Sequence, residues 1–144
     1  MPRLPDGEEL LVAPVLVVTA AVVERDGRFL VTRRQRGVHL EGYWEFPGGK
    51  CDADESLAAC LVRELREELA VDARIGDEIF TVTHHYPERS VELHFFGCDI
   101  VGEPVPQIGQ EMRWVTRAEL RRLSFPPADE ELIRTLVSGS AKSR

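Results

Sequence analysis

From Gly49 to Val71 the chain reads GKCDADESLAACLVRELREELAV, and this stretch decides how the rest is understood. Side chains three and four positions apart are neighbours on a helix, so Glu64, Glu67 and Glu68 share one patch of its surface. Leu61, Leu65 and Leu69, with Ala58 and Val62, form an adjoining apolar arc. The spacing therefore predicts an amphipathic helix that buries the arc and leaves its acidic side open to solvent. Clustered carboxylates either raise some of their pKa values or take up a cation. Oxygen ligands without cysteine or histidine favour a hard ion, Mg²⁺ or Mn²⁺. A run of glutamates is more commonly just a solvated face, and Glu67-Glu68 alone would support no more than that.

The whole string goes further. A glycine, five residues, a glutamate, seven residues, then Arg-Glu-aliphatic-x-Glu-Glu and x-Gly-aliphatic is the pattern of the Nudix box, which this stretch resembles. Gly49, Glu55, Arg63, Glu64, Leu65, Glu67, Glu68 and Val71 match it. Ala70 departs, standing where the pattern has a glycine that lets the chain leave the helix in a left-handed conformation. A slightly different helix exit and an intact metal site are expected.

The resemblance implies a fold, an α/β/α sandwich with a mixed sheet between helices, and a reaction, metal-assisted cleavage of a phosphoanhydride. It implies Glu64, Glu67 and Glu68 as metal ligands, joined by the backbone carbonyl of Gly48. Glu64 or Glu67 would orient or deprotonate water, and the choice between them stays open. Glu55 and Arg63 would brace loop against helix, or form a surface ion pair worth under about 1 kcal/mol. A further acidic ligand from outside the box is usual in the family. Glu111 is the nearest carboxylate to Trp114, and it reads equally as that ligand or as a strand-edge charge.

Outside the box, the similarity narrows to the MutT-like branch, which hydrolyses oxidised guanine nucleotides. Thr32-Arg33-Arg34, His39, Glu45-Phe46-Pro47-Gly48-Gly49, Tyr86-Pro87-Glu88-Arg89 and Phe125-Pro126-Pro127-Ala128-Asp129-Glu130 carry it. By that resemblance Arg34, His39, Phe46, Tyr86, Arg89 and Asp129 line a nucleotide pocket. Phe46 and Tyr86 offer faces on which a base could stack, with core packing as the alternative. Asp129 replaces an asparagine that reads the base. Ionised, it only accepts hydrogen bonds and suits guanine N1–H with its 2-amino group, or the cytosine 4-amino group; protonated, it could read an oxidised guanine. It could equally cap the last helix.

Composition sets limits on the whole. The 144 residues carry a formal net charge of −7 with a pI near 5.1, which argues against a nucleic-acid polymer as partner. A small nucleotide would need its own cations. Cys51, Cys60 and Cys98 are odd in number and show no CxxC pair, so neither a disulfide framework nor a zinc site is expected and a reducing, cytoplasmic setting fits. Val15 to Val23 is too short to span a bilayer, and the N-terminus has no secretory pattern.

Strand and turn signals order the chain. Val15 to Val23, the turn at Arg25-Asp26-Gly27 and Arg28 to Thr32 form a hairpin. Ile79 to His85 and Val91 to Cys98 form another pair, and a short strand opens at Trp114. Thr116 and Glu119 make a capping box, and Asp129 to Val137 is a last amphipathic helix. The expected organisation is an N-terminal segment at 1–12, one domain at 13–137 and a tail at 138–144, in a monomer or homodimer. Three functions are carried forward. The first is hydrolysis of 8-oxo-dGTP to monophosphate and pyrophosphate. The second is the same reaction on CTP or 5-methyl-dCTP, and the third is a non-catalytic nucleotide-binding module.

Overall fold

A computed structural model describes residues 14–138, so the N-terminal segment and nearly all of the expected tail lie outside the described residues. Eleven residues, β1 (Val15–Arg25), turn through Asp26 and Gly27, both at positive φ, into β2 (Arg28–Arg33). A two-residue loop with both residues at positive φ matches the twist of a tight hairpin, which is why Asp-Gly stands there. Two short strands, β3 (Trp44–Glu45) and β4 (Gly48–Lys50), lead into α1 (Leu57–Leu69). The long β5 (Asp72–His85) and β6 (Ser90–Val101) follow, then β7 (Met112–Thr116), α2 (Arg117–Leu120), a 3₁₀ turn at Pro127–Asp129 and α3 (Glu130–Ser138).

The strands form one mixed sheet in the order β3-β2-β1-β6-β5, with β4 paired to β1 and β7 to β2. β1 and β6 run parallel, and all other pairs are antiparallel. Alternation along β1 divides two cores. Ala21 and Val23 join Leu30, Leu61, Leu65 and Leu69 beneath α1, while Ala20 and Val22 join Phe29, Val31, Phe46 and Leu132 under the helices that follow β7. Helices thus cover both faces of the sheet, as the sequence predicts. Each fully buried leucine on α1 contributes about 1.5–3 kcal/mol of apolar burial. The capping box is present, with Thr116 accepting from the Glu119 amide and Glu119 accepting from the Thr116 amide.

Four expectations change. First, Ala58 is exposed, and Cys60 takes its place in the buried arc of α1. The helix is rotated so that its 60-64-68 edge faces β4. Second, the acidic patch is consequently split, because Glu64 turns inward and only Glu67 stays open. Third, β5 begins at Asp72, well before Ile79. Its first half is polar because it is a sheet edge, and it is irregular at Gly76, where a Cβ would press on the Gly97 carbonyl. Fourth, Cys51 and Cys60 are joined by a disulfide, with Cα atoms 5.3 Å apart, leaving Cys98 free and buried. The pairing arises because Cys51, whose amide donates to the Val17 carbonyl at 2.9 Å, continues β4 along β1 directly below the first turn of α1. Spacing in the chain carries no trace of that approach, and the argument from cysteine pattern to a reducing compartment loses its ground.

Ala70 takes φ 56° and ψ 39°, the left-handed conformation itself, and its amide closes the helix on the Arg66 carbonyl at 3.0 Å. The departure from glycine alters the energy of the exit rather than its path. No helix of the described residues is long and apolar enough to cross a membrane.

Candidate active site

β4 is the hinge of the site. Gly48 and Gly49 pair with Ala20 and Thr19 of β1, and both are pressed from above and below. A Cβ on Gly48 would collide with the Thr19 carbonyl, and one on Gly49 with the Glu64 carboxylate. Only glycine lets the backbone lie that close to the helix, so the Gly48 carbonyl and the Glu64 and Glu68 carboxylates come into one neighbourhood.

A cavity of about 550 Å³ opens there. Gly48, Glu64 and Glu68 line it, and so do Arg34, His39, Phe46, Tyr86, Arg89 and Asp129. Nine of the thirteen residues singled out from the sequence therefore meet in one place. The other four do not reach it. Arg63 and Glu55 form the brace: Arg63 Nε and Nη2 donate to the two Glu55 oxygens at 2.6 and 2.8 Å. The same guanidinium reaches Glu64 at 3.0 Å, Glu67 at 3.1 Å and the Lys50 carbonyl at 3.1 Å. That fork, with the Asp52 amide, holds the Glu55 carboxyl down at about 2. Glu67 lies at the solvent side with 60% of its side chain exposed. Glu111 is not brought to the cavity. Its backbone extends the β2–β7 pairing through Arg33, and its carboxylate is taken by Arg33 at 3.2 Å and Arg113 at 3.4 Å.

Among the described residues, no three carboxylate, histidine or cysteine side chains stand ready spaced around a point. The donor set nonetheless fits a cation. Glu68 Oε1 is buried without a hydrogen-bond partner, and an orphaned buried carboxylate oxygen is costly unless something positive meets it. Desolvation first, then the charges of Glu45 and Glu64, push the Glu68 carboxyl up to about 8. Glu64 is raised as well, chiefly by burial. A bound divalent ion would relieve both.

Glu45 is the residue that sequence reading missed. It sits on β3 opposite Thr32, takes Arg34 Nη1 at 2.8 Å and lines the same cavity. Burial raises its pKa against the pull of Arg34, and its charge acts on both Glu68 and Asp129. The signal was available in Trp44-Glu45-Phe46, where a charged residue stands between two large aromatics.

Asp129 is 4% exposed and its carboxyl makes no hydrogen bond among the described residues. Desolvation and then Glu45 lift it to about 7, against Arg34. Asp129 stands immediately before α3, at the capping position, yet no amide of the helix donates to its carboxyl among the described residues, so the capping alternative is not realised in its side chain; its own amide closes the 3₁₀ turn on the Pro126 carbonyl at 2.9 Å. Phe46 is a core residue with one edge on the cavity. It stacks on Phe125 with centroids 5.5 Å apart and meets Phe95 edge-on at 6.0 Å. Tyr86 is half-buried, held in a tight β5–β6 turn by paired hydrogen bonds with Arg89, and His39 meets it edge-on at 5.1 Å.

Comparison with known proteins shows the family and fold to which the chain belongs. A family model described as the NUDIX domain matches residues 18–135. The CTP pyrophosphohydrolase of Escherichia coli K12 is 34% identical over 125 residues, 86% of this chain and 93% of that protein. The 8-oxo-dGTP diphosphatase of Haemophilus influenzae is 32% identical over 126 residues, again 86% and 93%. The solution structure of the E. coli ORF135 protein superposes with a TM-score of 0.79 at 32% identity, covering 90% of this chain and 94% of that one. With a family model matching residues 18–135 and relatives at 34% and 32% identity covered over most of their length, the chain belongs to the Nudix family as a MutT-like hydrolase.

Proposed function

We propose that this protein hydrolyses a (deoxy)nucleoside triphosphate to the monophosphate and pyrophosphate, with 8-oxo-dGTP as its principal substrate. One domain spanning residues 13–137 would do this work with Mg²⁺. The observation that carries the reading is one cavity that holds a buried Glu68 oxygen with no hydrogen-bond partner among the described residues together with the buried carboxyl of Asp129. The first calls for a cation and the second for a base. Glu64, Glu67, Glu68 and the Gly48 carbonyl would hold the metal, which supplies charge neutralisation for the polyphosphate and polarisation at phosphorus. Glu67, the exposed member, has room to rotate inward from its pairing with Arg63.

The remaining work falls to the chain's own groups. Arg63 keeps Glu64 and Glu67 within reach of each other, and whichever of the two is free of the metal's charge can orient or deprotonate the attacking water. Arg34 has donors left beyond Glu45 and the His39 carbonyl, which it meets at 2.5 Å, and these suit a phosphate or base oxygen. Tyr86 presents the stacking face that Phe46 spends on Phe125. A protonated Asp129 would donate to the oxidised guanine edge.

Cytosine nucleotides are the second reading, favoured by the same residue in its other state. An ionised Asp129 accepts from the cytosine 4-amino group, and one relative is named for CTP. The test is a panel of 8-oxo-dGTP, dGTP, CTP and dCTP with Mg²⁺, followed by pyrophosphate release. Highest kcat/KM on 8-oxo-dGTP supports the first reading and on CTP the second. Binding without turnover of any nucleotide, with Glu67→Gln indistinguishable from the natural protein, would leave a non-catalytic nucleotide-binding module.

A further inference from the structure

The Cys51–Cys60 bridge spans the segment that carries Glu55, and its two ends sit on different layers of the site. Cys51 is the residue after β4, half-buried and within reach of solvent. Cys60 lies in the first turn of α1, fully buried, one helical turn before Glu64. Neither end depends on the sulfur bond for its place. Cys51 is held by its hydrogen bond to β1 and Cys60 by the helix, whose first turn its amide closes on the Ser56 carbonyl at 2.9 Å. The Thr19 hydroxyl lies 3.3 Å from Cys60 Sγ and can donate to it. Burial disfavours a standing thiolate at Cys60, and the Thr19 hydroxyl is the group placed to stabilise the charge as it forms during exchange. The separation of the two Cα atoms suits a disulfide without backbone movement.

We propose that Cys51 and Cys60 are a reversible thiol–disulfide modification site, exchanging with small-molecule disulfides of the glutathione type, and that its oxidation state sets how firmly the box loop is tied to the metal-carboxylate helix. In oxidation, the Cys51 thiolate attacks one sulfur of the small disulfide, expels one thiolate and is left in a mixed disulfide. The Cys60 thiolate then attacks the Cys51 sulfur and expels the second. Two electrons pass from the protein dithiol to the small disulfide, and two protons leave with them on the two released thiols. Reduction runs the same steps backwards, starting at the accessible Cys51 sulfur.

The bridge and the Glu55–Arg63 pair bind the same segment, one covalently and one ionically. Closing so short a loop restricts the unfolded chain and the loop alike. Cys98 is the internal control. It is buried, unpaired, and its thiol is pushed up to about 12 by desolvation, so it stays protonated through both states.

The test uses the full chain equilibrated in oxidised or reduced glutathione, then denatured, alkylated and weighed. The expected result is one alkylated cysteine after oxidation and three after reduction, interconvertible in the native protein. The thermal midpoint should be higher in the oxidised form by about 5–10 °C. Amide exchange over residues 52–59 should be several-fold slower in that form. Cys51→Ser should show the lower midpoint in both buffers. Three alkylated cysteines at every glutathione ratio, a stable adduct on Cys51 alone, or a bridge that excess reduced glutathione cannot open would overturn the inference. A Cys51→Ser midpoint that still follows the buffer would do the same. None of these readouts depends on whether the cavity binds metal or cleaves a nucleotide.

Discussion

At the scale of single residues, the cavity is defined by carboxyl groups held where water cannot fully solvate them. Asp129 moves from 3.8 to about 7 on burial, so between those values the folded protein holds a proton that the unfolded chain has released. Stability accordingly falls as pH rises from 4 to 7 and this contribution is fully lost above 7. Asp129→Asn should flatten that part of a melting-temperature profile. It should also flatten a change in preference: the ratio of kcat/KM for 8-oxo-dGTP over CTP is expected to fall across pH 6 to 8, with a midpoint near 7. A ratio constant over that range would remove Asp129 from base selection. Glu68 titrates higher, at about 8, with the same sign. In metal-free protein Glu68→Gln should therefore raise stability by about 1–3 kcal/mol at pH 9 and by much less at pH 5. Activity should drop at least a hundredfold. A stability gain bought with lost function is the usual mark of a residue kept for its chemistry.

At the scale of elements, α1 and its two ends govern the site. Leu65 is fully buried against the sheet directly behind Glu64, and Leu65→Ala should cost about 2–5 kcal/mol in denaturant unfolding. The exit at Ala70 is the other lever. An L-residue held in the left-handed region is disfavoured by about 1–2 kcal/mol, which glycine would remove while adding some unfolded-state entropy. Ala70→Gly is expected to stabilise the protein by about 0.5–1 kcal/mol without changing kcat. A loss of stability would mean that the Ala70 methyl contributes packing that its exposure does not show. The helix itself was legible from leucines at every fourth position and from its clustered charges. Its rotation was not, because only contact with β4 decides that the 60-64-68 edge turns inward.

At the scale of the molecule, a chain of net charge −7 must bind an anion. Metal and nucleotide should therefore stabilise it together. With Mg²⁺ present, nucleotide at a hundredfold over its Kd should add about 2.7 kcal/mol, whereas nucleotide in a chelator should leave the melting temperature unmoved. An equal shift in both conditions would show that Arg34, Arg89 and Lys50 suffice to hold the phosphates. The sequence by itself determined the layered order of strands and helices, because burial periodicity and turn chemistry are local, and its motifs inside and outside the box named nine residues that line the cavity. Tertiary structure alone decided that Glu111 turns to Arg33, that Glu45 joins the cavity and that Phe46 gives its face to Phe125. It alone brought Cys51 beneath Cys60. Each of these depends on which strand lies beside which, and pairing partners far apart along the chain leave no mark on the spacing of residues within either one.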